Sequence, residues 1–152
     1  MSYPSDKVAA FMRRFGQPTP GAPCVPPEDV VRNRCRWQME ETLELLGACF
    51  GGDDEAGGII VYLRAGAERL IDDCAVRVDL VAYADANADI RYVAYGNDIA
   101  AGIDSREVDA EVAASNDSKE MPDEPGGKVR KGAGYKPPNI AGILKDQGWK
   151  DR

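Results

Sequence analysis

Arg36-Trp37-Gln38-Met39-Glu40-Glu41-Thr42-Leu43-Glu44-Leu45-Leu46 is the stretch whose reading decides the fold. It holds neither glycine nor proline and is built mainly from strong helix formers. Read outward, it predicts a helix from Glu28 to Phe50, entered after Pro26-Pro27 and ended by Gly51-Gly52. Met39, Leu43, Leu45 and Leu46 surround the glutamates, so little of this helix is left purely for solvent. Glu41 and Glu44, three apart, project from one face, and Glu40 stands about 100° round the axis from Glu41.

Upstream, Val8, Phe11, Met12 and Phe15 recur at helical spacing, which predicts a first helix over Asp6–Phe15 with Ser5 as N-cap and Gly16 as stop. The five prolines between Gln17 and Pro27 impose an extended connection. Downstream, Asp53–Gly58 reads as an acidic, glycine-rich turn and Ile59–Cys74 as a third helix. A fourth is expected over Arg77–Ala101, stopped by Gly102. Asp104 with Glu107 resembles a capping box that opens a fifth, whose buried edge is Val108 and Val112. Asn116–Pro138 is expected to be a long loop or tail, followed by a short helix over Asn139–Trp149. With no convincing strand pair, the expected class is all-α: a bundle of about four to five helices with a long C-terminal loop or tail.

The length suits one domain over residues 1–152: N-terminal helix and proline-rich loop (1–27), helical core (28–114), basic loop and tail (115–152). No segment approaches the roughly 20 apolar residues a bilayer span needs, and the first residues lack the apolar run of a signal peptide, so a cytoplasmic location is expected. Cys24, Cys35, Cys49 and Cys74 show no close pairs and read as reduced, buried thiols. The chain contains no histidine, which excludes Ser-His-Asp and Cys-His catalysis, HD-type phosphohydrolases and zincin chemistry. Acid–base work and metal binding therefore fall to carboxylates, lysines and tyrosines.

A net charge of −7 argues against stable nucleic-acid binding, although Lys128–Lys136 carries four basic residues and no acidic one. Asp72–Asp89 holds five aspartates against one arginine. Asp85 and Asp89, four apart, form a second carboxylate pair, and two antiparallel helices bringing it to Glu41 and Glu44 would line a small space with oxygens. Magnesium favours such ligands and commonly keeps several waters. Glu-Glu-x-x-Glu is also common on solvated helix faces, and the bland counterpart of this reading is a non-catalytic interaction module.

The ordered blocks carry more information than any one of them. Phe15-Gly16-Gln17-Pro18 is followed by Glu40-Glu41-Thr42-Leu43-Glu44-Leu45, Asp85-Ala86-Asn87-Ala88-Asp89 with Tyr92-Val93, and Gly102-Ile103-Asp104. Then come Glu111-Val112, Ser115-Asn116-Asp117-Ser118-Lys119, Gly127-Lys128-Val129-Arg130-Lys131-Gly132 and Tyr135-Lys136-Pro137-Pro138. Over about residues 8–140 this resembles the MazG-like all-alpha NTP pyrophosphatases, and within them a phage and bacterial branch often labelled Cof-like hydrolases.

The resemblance implies Mg²⁺-dependent hydrolysis of a nucleoside triphosphate to monophosphate and pyrophosphate. It implies metal, two or three ions per site with Mn²⁺ as substitute, on Glu41, Glu44, Asp85 and Asp89, and Glu40 as a base that either orients the water or stands behind the metal ligands. Many relatives carry an acidic residue where Ala86 stands, which shifts the load to Asp85. Asn116, Ser118, Lys119, Lys128, Lys131 and Tyr135 become the expected nucleotide and phosphate contacts. Relatives form dimers or dimers of dimers, so a homo-oligomer is expected. Some phage enzymes of this branch act on dGTP and GTP in 2-aminoadenine nucleotide synthesis, which makes these the favoured substrates, with house-cleaning of dUTP, dCTP or damaged nucleotides as the alternative.

Overall fold

A computed structural model describes residues 4–51, 53–124 and 127–150. Six helices account for most of them: α1 (Pro4–Arg14), α2 (Glu28–Phe50), α3 (Asp54–Asp73), α4 (Leu80–Ala100), α5 (Ser105–Asp117) and α6 (Ile140–Asp146). The all-α expectation holds, and the only strand-like pairing among the described residues is one isolated antiparallel bridge between Glu120 and Arg130. No described helix is long and apolar enough to cross a membrane. The chain divides into two compact units, one of residues 24–80 and one of residues 1–23 with 81–152.

In the first unit, α2 and α3 pack as an antiparallel pair around the turn at Gly51. α2 has the expected bounds, because prolines end the approach to it and glycines follow it. α3 starts five residues earlier than expected. Asp53 caps it by accepting from the Ala56 amide at 3.0 Å, and Asp54 and Glu55 lie in the positive first turn, so helix runs through Gly57-Gly58 despite their low propensity. Ala56, Ile60, Arg64, Ala67 and Ile71 recur at helical spacing, and all but Arg64 are partly buried. Leu43 is 3% exposed and Val31 is also buried. At the far end the Arg32 guanidinium donates to the carbonyls of Ile71 and Cys74, satisfying acceptors at the end of α3 that have no helical partner. Arg36 pairs with Asp72 at 2.6 Å alongside.

In the second unit, α1 packs on α5. α1 begins at Pro4, so Ser5 lies inside the helix rather than capping it; proline's fixed φ suits a first helical turn. Gly16, at φ +67°, ends it as expected. Phe15 is 2% exposed, packs against Phe11 with the rings tilted by 49° and their centroids 4.6 Å apart, and lies beneath the Arg14 guanidinium. Arg14 also donates to the Asp117 carbonyl at 2.6 Å, tying α1 to the end of α5.

α6 lies antiparallel on α5. Glu111 accepts from the Asn139 amide at 2.8 Å at one end, and at the other Gln147 donates to the Asp104 carbonyl at 3.1 Å and accepts from the Asp104 amide at 2.9 Å. This corrects the capping box. Asp104 caps α5 through the Arg106 amide, but Glu107 accepts from Gln147 at 3.0 Å. α5 also runs on through Asn116 and Asp117, and the loop beyond is hydrogen-bonded back onto it.

Asp104 carries a titration test. Hydrogen bonds from the Arg106 side chain and amide lower its carboxyl from 3.8 to about 2. A carboxylate lowered on folding contributes stability above its unfolded value and loses it as pH falls through the folded one. The Asp104 side-chain carboxyl carbon shift is therefore expected to titrate near pH 2, with the α5 N-terminus loosening below pH 3.8; a midpoint at 3.8 in the folded chain would contradict the cap.

Asp109 is shifted the other way, raised by burial first and by Asp98 second, with Lys7 opposing. Its ionised form therefore destabilises the fold, and the penalty disappears when it is protonated. Asp109→Asn is expected to raise the thermal midpoint at neutral pH by roughly 1–2 °C. The gain should vanish in acid, where wild type is protonated too; an equal gain at both pH values would point to another cause.

The cysteines depart from expectation, since all four thiols are exposed. Cys24 sits in the proline-rich connection and Cys74 just past α3, while Cys35 and Cys49 lie about 80–120° round α2 from Leu43, the most buried position of that helix.

Candidate active site

α2 sorts its acidic residues between two faces. Leu43 packs toward α3, and Glu41 lies about 160° round the axis from it, so Glu41 is turned to solvent with Glu44 beside it. Trp37, half-buried, occupies the same side and carries the Arg34 guanidinium over its ring at 5.1 Å. Glu40 is placed differently. It is half-buried in the narrow groove between α2 and α3, lined also by Arg36, Arg64 and Glu68. One helix therefore presents two carboxylates outward and sets a third in the groove against α3.

α4 supplies the other pair. Asp85 and Asp89, about 40° apart around the axis, are both exposed. Tyr83, Asn87 and Asp98 are half-buried on the opposite side, with Asn87 donating to the Tyr83 carbonyl at 2.7 Å. Val81, Tyr92 and Ile99 flank the aspartates at 81%, 82% and 76% exposure. The pair thus sits within an apolar stripe that α1, α5 and α6 do not cover.

Glu40, Glu41 and Glu44 belong to one unit, and Asp85 and Asp89 to the other. Among the described residues no three carboxylates or thiols cluster closely enough to hold an ion. Each helix offers two hard oxygen donors, which is a donor set that Mg²⁺ accepts, since it takes one or two carboxylates and completes its shell with water and substrate phosphate.

The expected nucleotide contacts all fall in the second unit. Asn116 is the penultimate residue of α5 and Lys119 follows its C-cap; both are half-buried. Ser118 donates to the Ser115 carbonyl at 2.7 Å and accepts from the Lys136 amide at 2.8 Å, so its hydroxyl proton is committed and an acceptor lone pair remains. Lys131 stands over the Tyr135 ring at 5.3 Å. Lys128 is exposed. Arg130 turns back on its own segment, pairing with Asp123 at 3.1 Å and donating to the Met121 carbonyl at 3.2 Å. Sequence reasoning assigned Ser115 no role, yet it is the buried polar residue here; a serine three before another serine at a helix end was the available signal.

An all-α chain with paired acidic residues on two long helices fits the architecture of the helical nucleotide pyrophosphohydrolases. The family model for phosphoribosyl-ATP pyrophosphohydrolase matches residues 8–116, spanning both units, and the chain belongs to that MazG-like family. It is a hydrolase acting on phosphoric anhydrides, a nucleotide pyrophosphohydrolase, in a family that generally depends on divalent metal. No curated protein and no solved structure matches it significantly.

Proposed function

We propose that the protein hydrolyses a nucleoside triphosphate to monophosphate and pyrophosphate with Mg²⁺, or Mn²⁺ in its place, on Glu41, Glu44, Asp85 and Asp89. The observation that carries this is the exposure of both pairs on faces turned from their own unit's packing. Four carboxylates brought together without a cation would repel one another, so two or three ions in one site are the natural complement. What magnesium supplies when bound is neutralisation of charge on the leaving pyrophosphate and polarisation of a phosphoryl oxygen.

This chain's own groups would do the rest. Glu40, in the groove between α2 and α3, orients the attacking water and accepts its proton. Asn116, Ser118, Lys119, Lys128, Lys131 and Tyr135 hold the base and the phosphates, the lysines through charge-assisted hydrogen bonds. The two units act as one domain, in the cytoplasm.

We further infer a homo-oligomer, a dimer or tetramer. α3 carries a second apolar face of Ile59, Tyr62, Leu63 and Leu70, all exposed, beside the one packed on α2, and α4 exposes the stripe around its aspartates. Apolar faces of this extent mark association surfaces.

The favoured substrates are dGTP and GTP. Initial rates with dGTP, GTP, dATP, dCTP, dTTP, dUTP and phosphoribosyl-ATP at equal concentration test this. The guanine nucleotides are expected to lead; faster turnover of dUTP or dCTP would establish the house-cleaning alternative, and faster turnover of phosphoribosyl-ATP would place the substrate with the family's namesake.

A further inference from the structure

The basic segment after α5 is built into place by two serines. Ser115, in the last turn of α5, is 6% exposed. Its hydroxyl donates to the Lys136 carbonyl at 2.8 Å and stands 3.4 Å from the Tyr135 hydroxyl, which can donate to it. Three residues on, the Ser118 hydroxyl accepts from the Lys136 amide at 2.8 Å. Both backbone groups of Lys136 are thus held by side chains from one helix end. Pro137 and Pro138 follow, restricting the backbone just beyond, and Asn139 is fastened to Glu111. On the near side the Glu120–Arg130 bridge closes the segment, and Gly132 lets the Glu120 carboxylate lie against its backbone, where a side chain would collide. Lys131 is left stacked over Tyr135, the residue next to the fastened one.

Resting on the reading of this segment as the phosphate-contacting one, we propose that Ser115 is a positioning residue. Together with Ser118 it latches Tyr135–Lys136 to the end of α5, so that the ammonium groups of Lys131 and Lys136 form a preformed clasp for a polyphosphate chain. A flexible basic loop would have to be ordered on binding, and a latched one has that ordering done beforehand. Polyphosphate affinity should therefore depend on a serine whose own hydroxyl proton is turned to a backbone carbonyl.

The test uses the full chain as wild type, Ser115→Ala and Ser118→Ala. Each is measured for tripolyphosphate affinity by calorimetry, for exchange of the Lys136 amide, and for KM and kcat on the best nucleotide. Ser115→Ala and Ser118→Ala are expected to weaken tripolyphosphate binding and raise KM about tenfold, with kcat within twofold and Lys136 exchange accelerated.

Affinity within twofold of wild type in Ser115→Ala would overturn the proposal, whether or not the amide is released. So would a wild type that binds no tripolyphosphate. A wild type that binds it, loses affinity on Ser115→Ala and cleaves no nucleotide would keep the latch and sink the hydrolase reading instead.

Discussion

Glu41→Gln and Glu44→Gln are each expected to lower kcat/KM for the best nucleotide by at least about 100-fold, equivalent to about 2.7 kcal/mol of lost transition-state stabilisation. Thermal stability should be unchanged or slightly raised. Both side chains are exposed on the face turned from α3, so glutamine leaves the packing intact and removes a like-charge neighbour three residues away. What it removes is the negative charge on an oxygen donor, which a hard dication needs. A solvated acidic face without chemistry would show no loss of turnover at all. Rates and melting curves on the same preparations separate the two, and near-wild-type activity in both variants would take α2 out of the site.

Leu43→Ala is expected to destabilise the chain by about 2–5 kcal/mol, the range for emptying a well-packed aliphatic site. Among the described residues only Phe15, Val31 and Leu43 are buried apolar side chains, so the first unit rests heavily on this one. Leu43 also stands between Glu41 and Glu44 in sequence, and the α3 contact that anchors it fixes the rotation of α2 that turns them outward. Activity per folded molecule should therefore fall as well. Denaturant midpoints measure the first effect; a loss below 1 kcal/mol would mean that the α2–α3 contact does not hold α2 in register.

The fold was legible wherever a local rule had no competitor. Pro26-Pro27 and Gly51-Gly52 bracket α2, and Gly16 and Gly102 adopt positive φ at the ends of α1 and α4, so composition alone located these boundaries. The start of α3 was hidden because Gly57-Gly58 signals a turn, and only the Asp53 cap with its acidic first turn outweighs it. The partners of Glu107 and Ser118 were illegible for a different reason. Gln147 and Lys136 reach them across 40 and 18 residues, and no periodicity encodes a side chain's choice among distant acceptors.

The site was legible in part. Spacing alone placed Glu41 with Glu44 and Asp85 with Asp89 on common faces, and the exposure of all four agrees with that. Glu40's position in the groove between α2 and α3 depends on which face α3 takes, and that is set by the burial of Leu43 rather than by the glutamates themselves. The apolar surroundings of Asp85 and Asp89 were visible in sequence, but their exposure is a property of tertiary packing.

The central claim is metal-dependent cleavage to monophosphate and pyrophosphate, and anion-exchange separation of the products tests it most directly. Purified protein is incubated with the panel of nucleoside triphosphates and phosphoribosyl-ATP, with Mg²⁺ in one arm and EDTA in the other. Monophosphate and pyrophosphate in equal amounts, in the Mg²⁺ arm alone, is the result predicted for triphosphate substrates. Diphosphate with inorganic phosphate, the same products in EDTA, or every substrate recovered intact with Mg²⁺ and with Mn²⁺ would contradict it.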